Sequence, residues 1–382
     1  MDLPEPSAEA SEHSARVAAH IRAEIGRAGG WIGFARFMEL ALYAPGLGYY
    51  MAGSRKLGAE GDFTTAPELA PLFGHTLARA AAQVLGDAGD EILEIGAGSG
   101  ALAASLLEEL ERLGALPRSY LILELSPELR ARSRDTLAAR VPHLMERVAW
   151  LNGPPPAVSG FVIGNEVLDA MPAHVVRTRA GAIEEAGVAL GRDAPFEWAY
   201  RPATGALLEA ARRLGLPDDY TTEVGLVAHA FVSGLARALE RGVMLFVDYG
   251  FPRGEYYHPQ RRTGTLMCHY RHRTHADPFF LPGLQDVTTH VDFTAMAEAA
   301  RAAGADVLGY TTQAQLLINC GMTDLMLRTS PADAKRYLPL AAAANKLTSP
   351  AEMGELFKAI ALGRGVADEL IGFRSGDRRQ TL

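Results

Sequence analysis

Cysteine is scarce in this sequence: Cys268 and Cys320 are the only two among 382 residues. Two cysteines form neither a disulfide framework nor the paired Cys-x-x-Cys knuckles of a structural zinc site. This scarcity is typical of proteins that work in a reducing compartment.

Long apolar runs and targeting signals are also missing. No apolar stretch approaches the roughly 20 residues that a membrane-spanning helix needs. Residues 1–6 are acidic and contain proline, whereas a secretory signal starts with basic residues and a transit peptide is rich in arginine. We therefore expect a cytoplasmic protein without membrane insertion.

Basic residues are outnumbered: 37 Lys and Arg stand against 45 Asp and Glu, for a formal net charge of −8. Nucleic-acid binding needs clustered cations that replace the counterions of the phosphate backbone. The sequence has no Lys/Arg block, so we predict no nucleic-acid partner. The acidic balance favours a cationic acceptor slightly.

From Glu91 onward the sequence alternates between short apolar strands and amphipathic helices. This alternation predicts right-handed βαβ units and a mostly parallel, doubly wound α/β sheet of the Rossmann-like class. Strands are predicted at 92–95, 120–124, 148–151, 160–164 and 243–248, and helices at 101–113, 127–140 and 225–240.

Further segments are added to this predicted core, which comprises residues 89–171 and 223–320. The connection 249–290 is rich in Pro, Gly, His, Arg and aromatic residues, and connections longer than about 15 residues are usually functional or disordered. The other predicted parts are a disordered tail (1–12), an amino-terminal helical cap with a substrate region (13–88, helices at 14–27 and 34–42), an inserted β subdomain (172–222) and a carboxyl-terminal helical extension (321–382).

The most informative segment, residues 91–100, predicts a strand, a Gly-x-Gly-x-Gly turn and the start of a helix. Gly96, Gly98 and Gly100 let the backbone turn tightly and admit a ligand where a Cβ would clash. Ser99 lies among them, and the N–H groups of the helix that follows make this end electropositive. We predict a nucleotide-like ligand at the turn.

Two cofactor classes compete for this turn. A dinucleotide reading takes Ala101 as its third small residue and Glu124 as the ribose acid, but Glu124 follows the first glycine by 28 residues, more than the usual ~20. S-adenosyl-L-methionine carries an ammonium group, for which Glu94 offers a carboxylate, and it uses Glu124 for the ribose hydroxyls. Glu94 and Gly100 therefore favour S-adenosyl-L-methionine.

A second segment, residues 161–172, runs from an apolar strand directly into Asn165 and Glu166, with Asp169 three residues on. If Glu166 begins a helical turn, Asp169 lies on the same face. Methyl transfer needs the acceptor held in line and close, and paired carboxylates suit a guanidinium because they match its planar fork. The alternative is a helix start that carries acids for its dipole.

In order, these segments resemble the MidA-like family of S-adenosylmethionine-dependent methyltransferases, over about residues 15–320. The resemblance implies a class I methyltransferase fold, with Asn165 and Glu166 near the reacting centre. The segments that carry it are Tyr43-x-Pro45-x-x-Gly48-Tyr49-Tyr50, Gly61-Asp62-Phe63-Thr64-Thr65-x-Pro67-Glu68, Phe73-Gly74, Glu94-x-Gly96-x-Gly98-x-Gly100, Glu124-x-Ser126-Pro127, Asn165-Glu166-x-x-Asp169-Ala170-x-Pro172, Asp248-Tyr249-Gly250 and Asp286-Val287-Thr288-Thr289-His290-Val291-Asp292-Phe293.

The family also implies a class of substrate. Its mitochondrial member is a protein-arginine methyltransferase that acts in the assembly of respiratory complex I. The resemblance therefore implies a protein substrate, an arginine acceptor and a complex I subunit as a candidate partner. Two alternatives stay open: a nicotinamide-dependent oxidoreductase, and a non-catalytic assembly factor that keeps the cofactor fold.

Asp62 and His290 are supporting catalytic candidates. His290 is suited to orienting an acceptor or shuttling a proton, with a capping or packing role as the alternative. The segment 268–275 holds one thiol and three imidazoles, but Arg271 and Arg273 lie among them, so we predict no metal site there and a lid instead. The carboxyl-terminal helices predict packing or an oligomer surface, which permits a homodimer.

Overall fold

The computed structural model describes residues 3–52, 65–366 and 369–382. The chain divides into two compact units. The first unit comprises Met1–Phe63, Leu168–Ala230 and Phe251–Asp292, and the second comprises Thr64–Val167, Phe231–Gly250 and Phe293–Leu382.

Helices occur in both units. They are α1 (Ala8–Arg27), α2 (Phe34–Tyr43), α3 (Ala66–Leu69), α4 (Leu72–Val84), α5 (Ala101–Arg112), α6 (Pro127–Arg140), α7 (Gly205–Leu214), α8 (Leu226–Ala238), α9 (Arg253–Tyr256), α10 (Phe293–Ala302), α11 (Gln313–Asn319), α12 (Met322–Met326), α13 (Ala334–Thr348) and α14 (Met353–Leu356), with 3-10 turns at Pro142–Arg147, Ile371–Phe373 and Arg379–Thr381.

The strands follow the same chain order. They are β1 (Ile32–Gly33), β2 (Glu91–Ile95), β3 (Ser119–Leu123), β4 (Val148–Leu151), β5 (Val158–Asn165), β6 (His174–Arg179), β7 (Ala182–Ala189), β8 (Glu197–Pro202), β9 (Tyr220–Val224), β10 (Leu239–Phe251), β11 (Met267–Tyr270), β12 (Arg273–His275), β13 (Asp286–Thr288), β14 (Val291–Asp292), β15 (Asp306–Thr312) and β16 (Phe357–Arg364).

The second unit is built on a sheet in the order β15-β16-β10-β5-β2-β3-β4. The five strands from β10 to β4 pair in parallel. Their central members are buried apolar runs, as expected for a sheet covered on both faces by helices. This confirms the predicted Rossmann-like, mostly parallel α/β class. The strand order reverses between β2 and β5, and the carboxyl ends of these strands are where ligands bind in such sheets.

Strand β16 lies in a segment that was predicted to be helical, and that prediction is wrong. β16 pairs antiparallel with both β10 and β15. It is buried along nearly its whole length. A short apolar run of this kind shows no alternation, so its periodicity cannot separate a buried strand from a buried helix.

The first unit contains a five-stranded antiparallel sheet, in the order β1-β7-β6-β9 with β8 also paired to β7. Strand β1 comes from between α1 and α2, so the amino-terminal region and the predicted inserted subdomain share one sheet. Its core includes the packed rings of Phe34, Phe37 and Trp198. Within the long connection, β11, β12 and β13 form a small sheet.

The predicted disordered tail, residues 1–12, is shortened by helix α1. The Ser7 hydroxyl accepts a hydrogen bond from the Ala10 N–H at 3.2 Å, and an N-cap of this kind starts a helix. Residues 8–12 are therefore helical, and the prediction was wrong for them. In the described residues, no helix combines the length and the apolarity that a membrane span requires.

Candidate functional site

The turn after β2 has the geometry that its glycines predicted. Gly96, Gly98 and Gly100 have φ values of 68°, 53° and 81°, which side chains with a Cβ adopt only under strain. A Cβ at Gly100 would lie 2.8 Å from the Cα of Ser133 on α6. Gly100 therefore serves close helix packing as well as the turn itself.

Glu124, at the end of β3, connects that strand to the glycine turn. Its carboxylate is buried and accepts the Gly98 N–H at 3.0 Å and the Ser126 N–H at 2.9 Å. Each carboxylate oxygen has a second lone pair. Glu124 is therefore held beside the turn, where a carboxylate suits ribose hydroxyls.

Leu125 was missed as a site candidate. Its side chain is 61% exposed although both neighbours, Glu124 and Ser126, are buried. An apolar side chain held out beside the ribose candidate is suited to contact an adenine ring. An apolar residue directly after an acid at a strand end is the signal that could have identified it.

Glu94 lies near the end of β2 and is almost completely buried. The Tyr120 hydroxyl donates a hydrogen bond to it at 2.7 Å. Burial raises the pKa of Glu94 to about 7, helped by the negative charge of Glu124 and opposed by the Tyr120 hydrogen bond. A cation bound nearby would restore the charged form, which agrees with the predicted role toward an ammonium group.

Ser99 occupies the middle of the turn, and its hydroxyl donates to the carboxylate of Glu68 on α3. Glu68 belongs to a motif of the resemblance, but it was not predicted as a site residue. Its distance along the chain from the turn hides the contact.

Asn165 and Glu166 lie where β5 ends, beside β2. Glu166 has a φ of 53°, in the left-handed region, and its N–H donates to the Val247 carbonyl at 2.9 Å. The Asn165 amide donates to the Glu166 carboxylate at 3.0 Å. Glu166 does not begin a helical turn, so a helical face shared with Asp169 is ruled out.

The neighbouring acid Asp248 orders the backbone here. Its two carboxylate oxygens accept the N–H groups of Val167 and Tyr249, at 3.1 and 2.9 Å. Val167 also approaches the glycine turn, since a Cβ at Gly96 would lie 3.2 Å from its methyl group. The loop that carries Glu166 therefore contacts the cofactor turn.

In the first unit, Asp169 is buried in a group that we call the aromatic–acid cluster: Tyr43, Tyr49, Tyr50, Asp169 and Asp286. The Tyr43 and Tyr50 rings stack with centroids 5.4 Å apart, and the Tyr50 hydroxyl donates to Asp286 at 2.9 Å. Burial raises the pKa of Tyr50 well above its usual value, and Asp286 and Asp169 contribute. The cluster thus joins negative charge to aromatic faces.

Two supporting candidates fare differently. The His290 ring stacks on Phe251, with centroids 5.3 Å apart and planes 10° apart, and the backbone N–H of His290 donates to the Thr265 hydroxyl at 3.0 Å. This geometry agrees with the packing alternative, and a catalytic role for His290 stays a prediction. Asp62 lies outside the residues that the structure describes.

The segment with one thiol and three imidazoles forms the β11–β12 hairpin. Cys268 is buried on β11, where burial raises its pKa. Arg271 and His272 form the turn with positive φ. Within the described ranges, no three His, Cys, Asp or Glu side chains are grouped so that they could hold a metal ion.

The sheet, the glycine turn and the buried acids at two adjacent strand ends define a Rossmann-like methyltransferase that uses S-adenosyl-L-methionine. The model of a family described as S-adenosyl-L-methionine-dependent methyltransferase matches residues 76–311. The chain belongs to this family, as its resemblance to the MidA-like proteins predicted.

Solved structures support the cofactor. The chain is 51% identical to a Burkholderia thailandensis protein whose crystal structure is bound to S-adenosyl-homocysteine; both chains are covered completely, with a TM-score of 0.96. A native crystal structure of a protein from the same organism matches this chain with a TM-score of 0.93. The cofactor of this family is S-adenosyl-L-methionine, and the turn and acids described above fit it.

Curated relatives are more distant. The chain is 28% identical to protein arginine methyltransferase NDUFAF7, mitochondrial, from Danio rerio, over 86% of this chain and 82% of the relative. The Drosophila melanogaster homologue is also 28% identical, over 96% of this chain and 89% of its own length.

Proposed function

We propose that this protein is a protein-arginine N-methyltransferase. The observation that carries the proposal is the conformation of Glu166. A non-glycine residue in the left-handed region is strained by about 1–3 kcal/mol, and such strain is concentrated at functional sites. Here it presents a carboxylate from the loop that contacts the cofactor turn.

The chemistry of a guanidinium fits this carboxylate. When bound, S-adenosyl-L-methionine supplies a methyl group activated on a sulfonium. A guanidinium nitrogen becomes nucleophilic as its proton leaves, so a carboxylate that accepts an N–H aligns the lone pair and takes up the proton. The Asn165 amide fixes one Glu166 oxygen and so orients the carboxylate.

The aromatic–acid cluster adds a second feature suited to a cation. Carboxylates bind a guanidinium bidentately, and aromatic faces attract it through their quadrupole. Asp169 and Asp286 supply the first chemistry, and the stacked Tyr43 and Tyr50 supply the second. We propose that this cluster is a cation-binding feature of the first unit.

The acceptor that we propose is an arginine of a protein, with respiratory complex I subunits as the first candidates and the cytoplasm as the site of action. Support for the arginine acceptor comes from the relatives named above, which are protein arginine methyltransferases at 28% identity, whereas complex I subunits and the cytoplasm are expectations from the sequence. A homodimer remains a prediction from the carboxyl-terminal helices.

A comparison of arginine methyl marks in host proteomes with and without the gene tests this proposal. We expect specific marks to disappear in the deletion strain, first among complex I subunits. If no arginine mark changes, the arginine proposal fails, whereas the family and the cofactor stand.

Glu166→Gln separates catalysis from a purely assembling role. The amide keeps the size and the backbone, so we expect the variant to bind S-adenosyl-homocysteine and to lose methyl transfer. Glu146→Gln, an exposed residue of the same unit, is the matched control. A transfer-deficient Glu166→Gln chain that still restores the deletion strain would favour the assembly factor.

A further inference from the structure

We infer that Glu68 is a cofactor-binding residue whose carboxylate pairs with the ammonium group of the methionine end of S-adenosyl-L-methionine. The inference rests on the cofactor assigned above and adds a residue that was not among the predicted site residues.

The position of Glu68 is fixed from two sides. Ala66, two residues earlier, is fully buried in the core of the second unit, and α3 packs against α5. The Ser99 hydroxyl then holds the Glu68 carboxylate against the middle of the glycine turn. Glu68 therefore lies at the turn that receives the cofactor.

The surroundings of Glu68 would favour a bound cation. It is half-buried, and in the described part of the chain the Ser99 hydroxyl is its only hydrogen-bond donor and no Lys, Arg or His pairs with it. Glu94, by contrast, is held inside the strand by the Tyr120 hydroxyl. An ammonium group beside the turn would supply the charge that Glu68 lacks.

The alternative is a purely structural role for Glu68, because a carboxylate near the first turn of α5 is stabilised by the helix dipole without any ligand. In that case Glu68 only braces the turn through Ser99. The two roles differ in what they require of the ligand, since only ammonium pairing depends on the amino-acid tail.

Isothermal titration with two ligands separates these roles. S-adenosyl-homocysteine carries the tail, and 5′-methylthioadenosine lacks it. We expect Glu68→Gln in the full chain to weaken S-adenosyl-homocysteine binding about 10-fold or more and 5′-methylthioadenosine binding by less than about twofold, since bonds to charged groups have this strength. Glu146→Gln should change neither.

Ser99→Ala supplies the second arm, because it removes the brace and keeps the carboxylate. We expect S-adenosyl-homocysteine to bind Ser99→Ala more tightly than it binds Glu68→Gln. Equal losses for both ligands in both variants, or no loss in Glu68→Gln, would overturn the inference. If the wild-type chain bound neither ligand, the cofactor assignment itself would fail. That result differs from failure of the Glu68 inference alone, in which the wild-type chain still binds S-adenosyl-homocysteine.

Discussion

At the residue scale, two glycines with positive φ, Gly100 and Gly114, have different surroundings. Gly100 has a positive φ and almost touches Ser133, whereas Gly114, just after α5, has a φ of 68° and no atom within 4 Å of the position of a Cβ. The two positions share the same backbone requirement and differ only in their packing.

This pair yields a matched test. We expect Gly100→Ala and Gly114→Ala to share a backbone strain of about 1 kcal/mol. Gly100→Ala should lose about 1–3 kcal/mol more of unfolding free energy, because its methyl group meets the α6 backbone. Urea unfolding measures both, and equal losses would mean that α6 simply moves away.

Glu94 makes cofactor binding depend on pH. Its pKa in the folded protein is about 7, above the ordinary 4.5. The charged form of Glu94, which would act on the ammonium group alongside the charge of Glu68, is therefore scarce below pH 7, so S-adenosyl-homocysteine affinity should rise as pH increases through about 7 and then level off. In the absence of ligand, the free energy of unfolding should decrease as the pH rises from 4.5 to 7, because the folded protein keeps Glu94 protonated over this range.

Titration calorimetry from pH 5.5 to 8.5 checks this prediction, and Glu94→Gln is the control. The variant should bind more weakly at pH 8 and show a flatter profile. A wild-type affinity that does not vary across the range would show that the charge of Glu94 does not act on the bound cofactor.

Much of the cofactor site could be predicted at this scale, because glycines and an acid at the next strand end are local signals. Gly96, Gly98, Gly100 and Glu124 lie together as their spacing indicated. The left-handed backbone of Glu166 could not be predicted, since it depends on the Val247 carbonyl of a distant strand.

At the element scale, the segment after α12 is attached to α5 by an ion pair whose carboxylate is buried. Glu109 is 2% exposed and accepts two hydrogen bonds from Arg328, at 2.7 and 2.9 Å, and two from Arg112. Burial raises the pKa of Glu109, but these hydrogen bonds outweigh it, and the pKa falls to about 2.

Removing one arginine partner of Glu109 should therefore destabilise the protein. We expect Arg328→Met to destabilise the protein by about 1–3 kcal/mol, because a buried carboxylate loses half of its donors. Arg336→Met, at an 82% exposed side chain, should change stability by less than about 0.5 kcal/mol. Thermal unfolding at pH 7 compares them.

The ion pair between Glu109 and Arg328 should also make stability depend on pH in acid. Since the pKa of Glu109 is lowered in the folded state, its contribution is complete above about pH 4.5 and disappears as the pH falls toward 2. The difference between wild type and Arg328→Met should narrow over this range. A constant difference would show that Arg328 acts through packing alone.

Some elements could be predicted from sequence and others could not. Helix α6 begins at Pro127, as the sequence indicated, and in the structure the Ser126 hydroxyl caps it. Strand β1 has only two residues, too few for any periodicity. It forms because β7, which is distant in the sequence, offers it a pairing edge.

At the scale of the whole molecule, each unit is assembled from three separate stretches of chain. The strand-like pieces after residue 172 are strands β6, β7 and β8 of the first unit. That the amino-terminal region contributes strand β1 to the same sheet could not be predicted, because pairing between distant segments leaves no local pattern.

The position of β16 has a consequence for how the chain is made. Both flanking strands, β10 and β15, emerge from the ribosome before it, so each waits with an open edge during synthesis. Unpaired edges invite aggregation. A chain stopped after residue 350 should accumulate as insoluble material, measured by fractionation, whereas one lacking residues 1–6 should stay in solution. We therefore expect nascent chains of this protein to need protection from aggregation until β16 has paired with both strands.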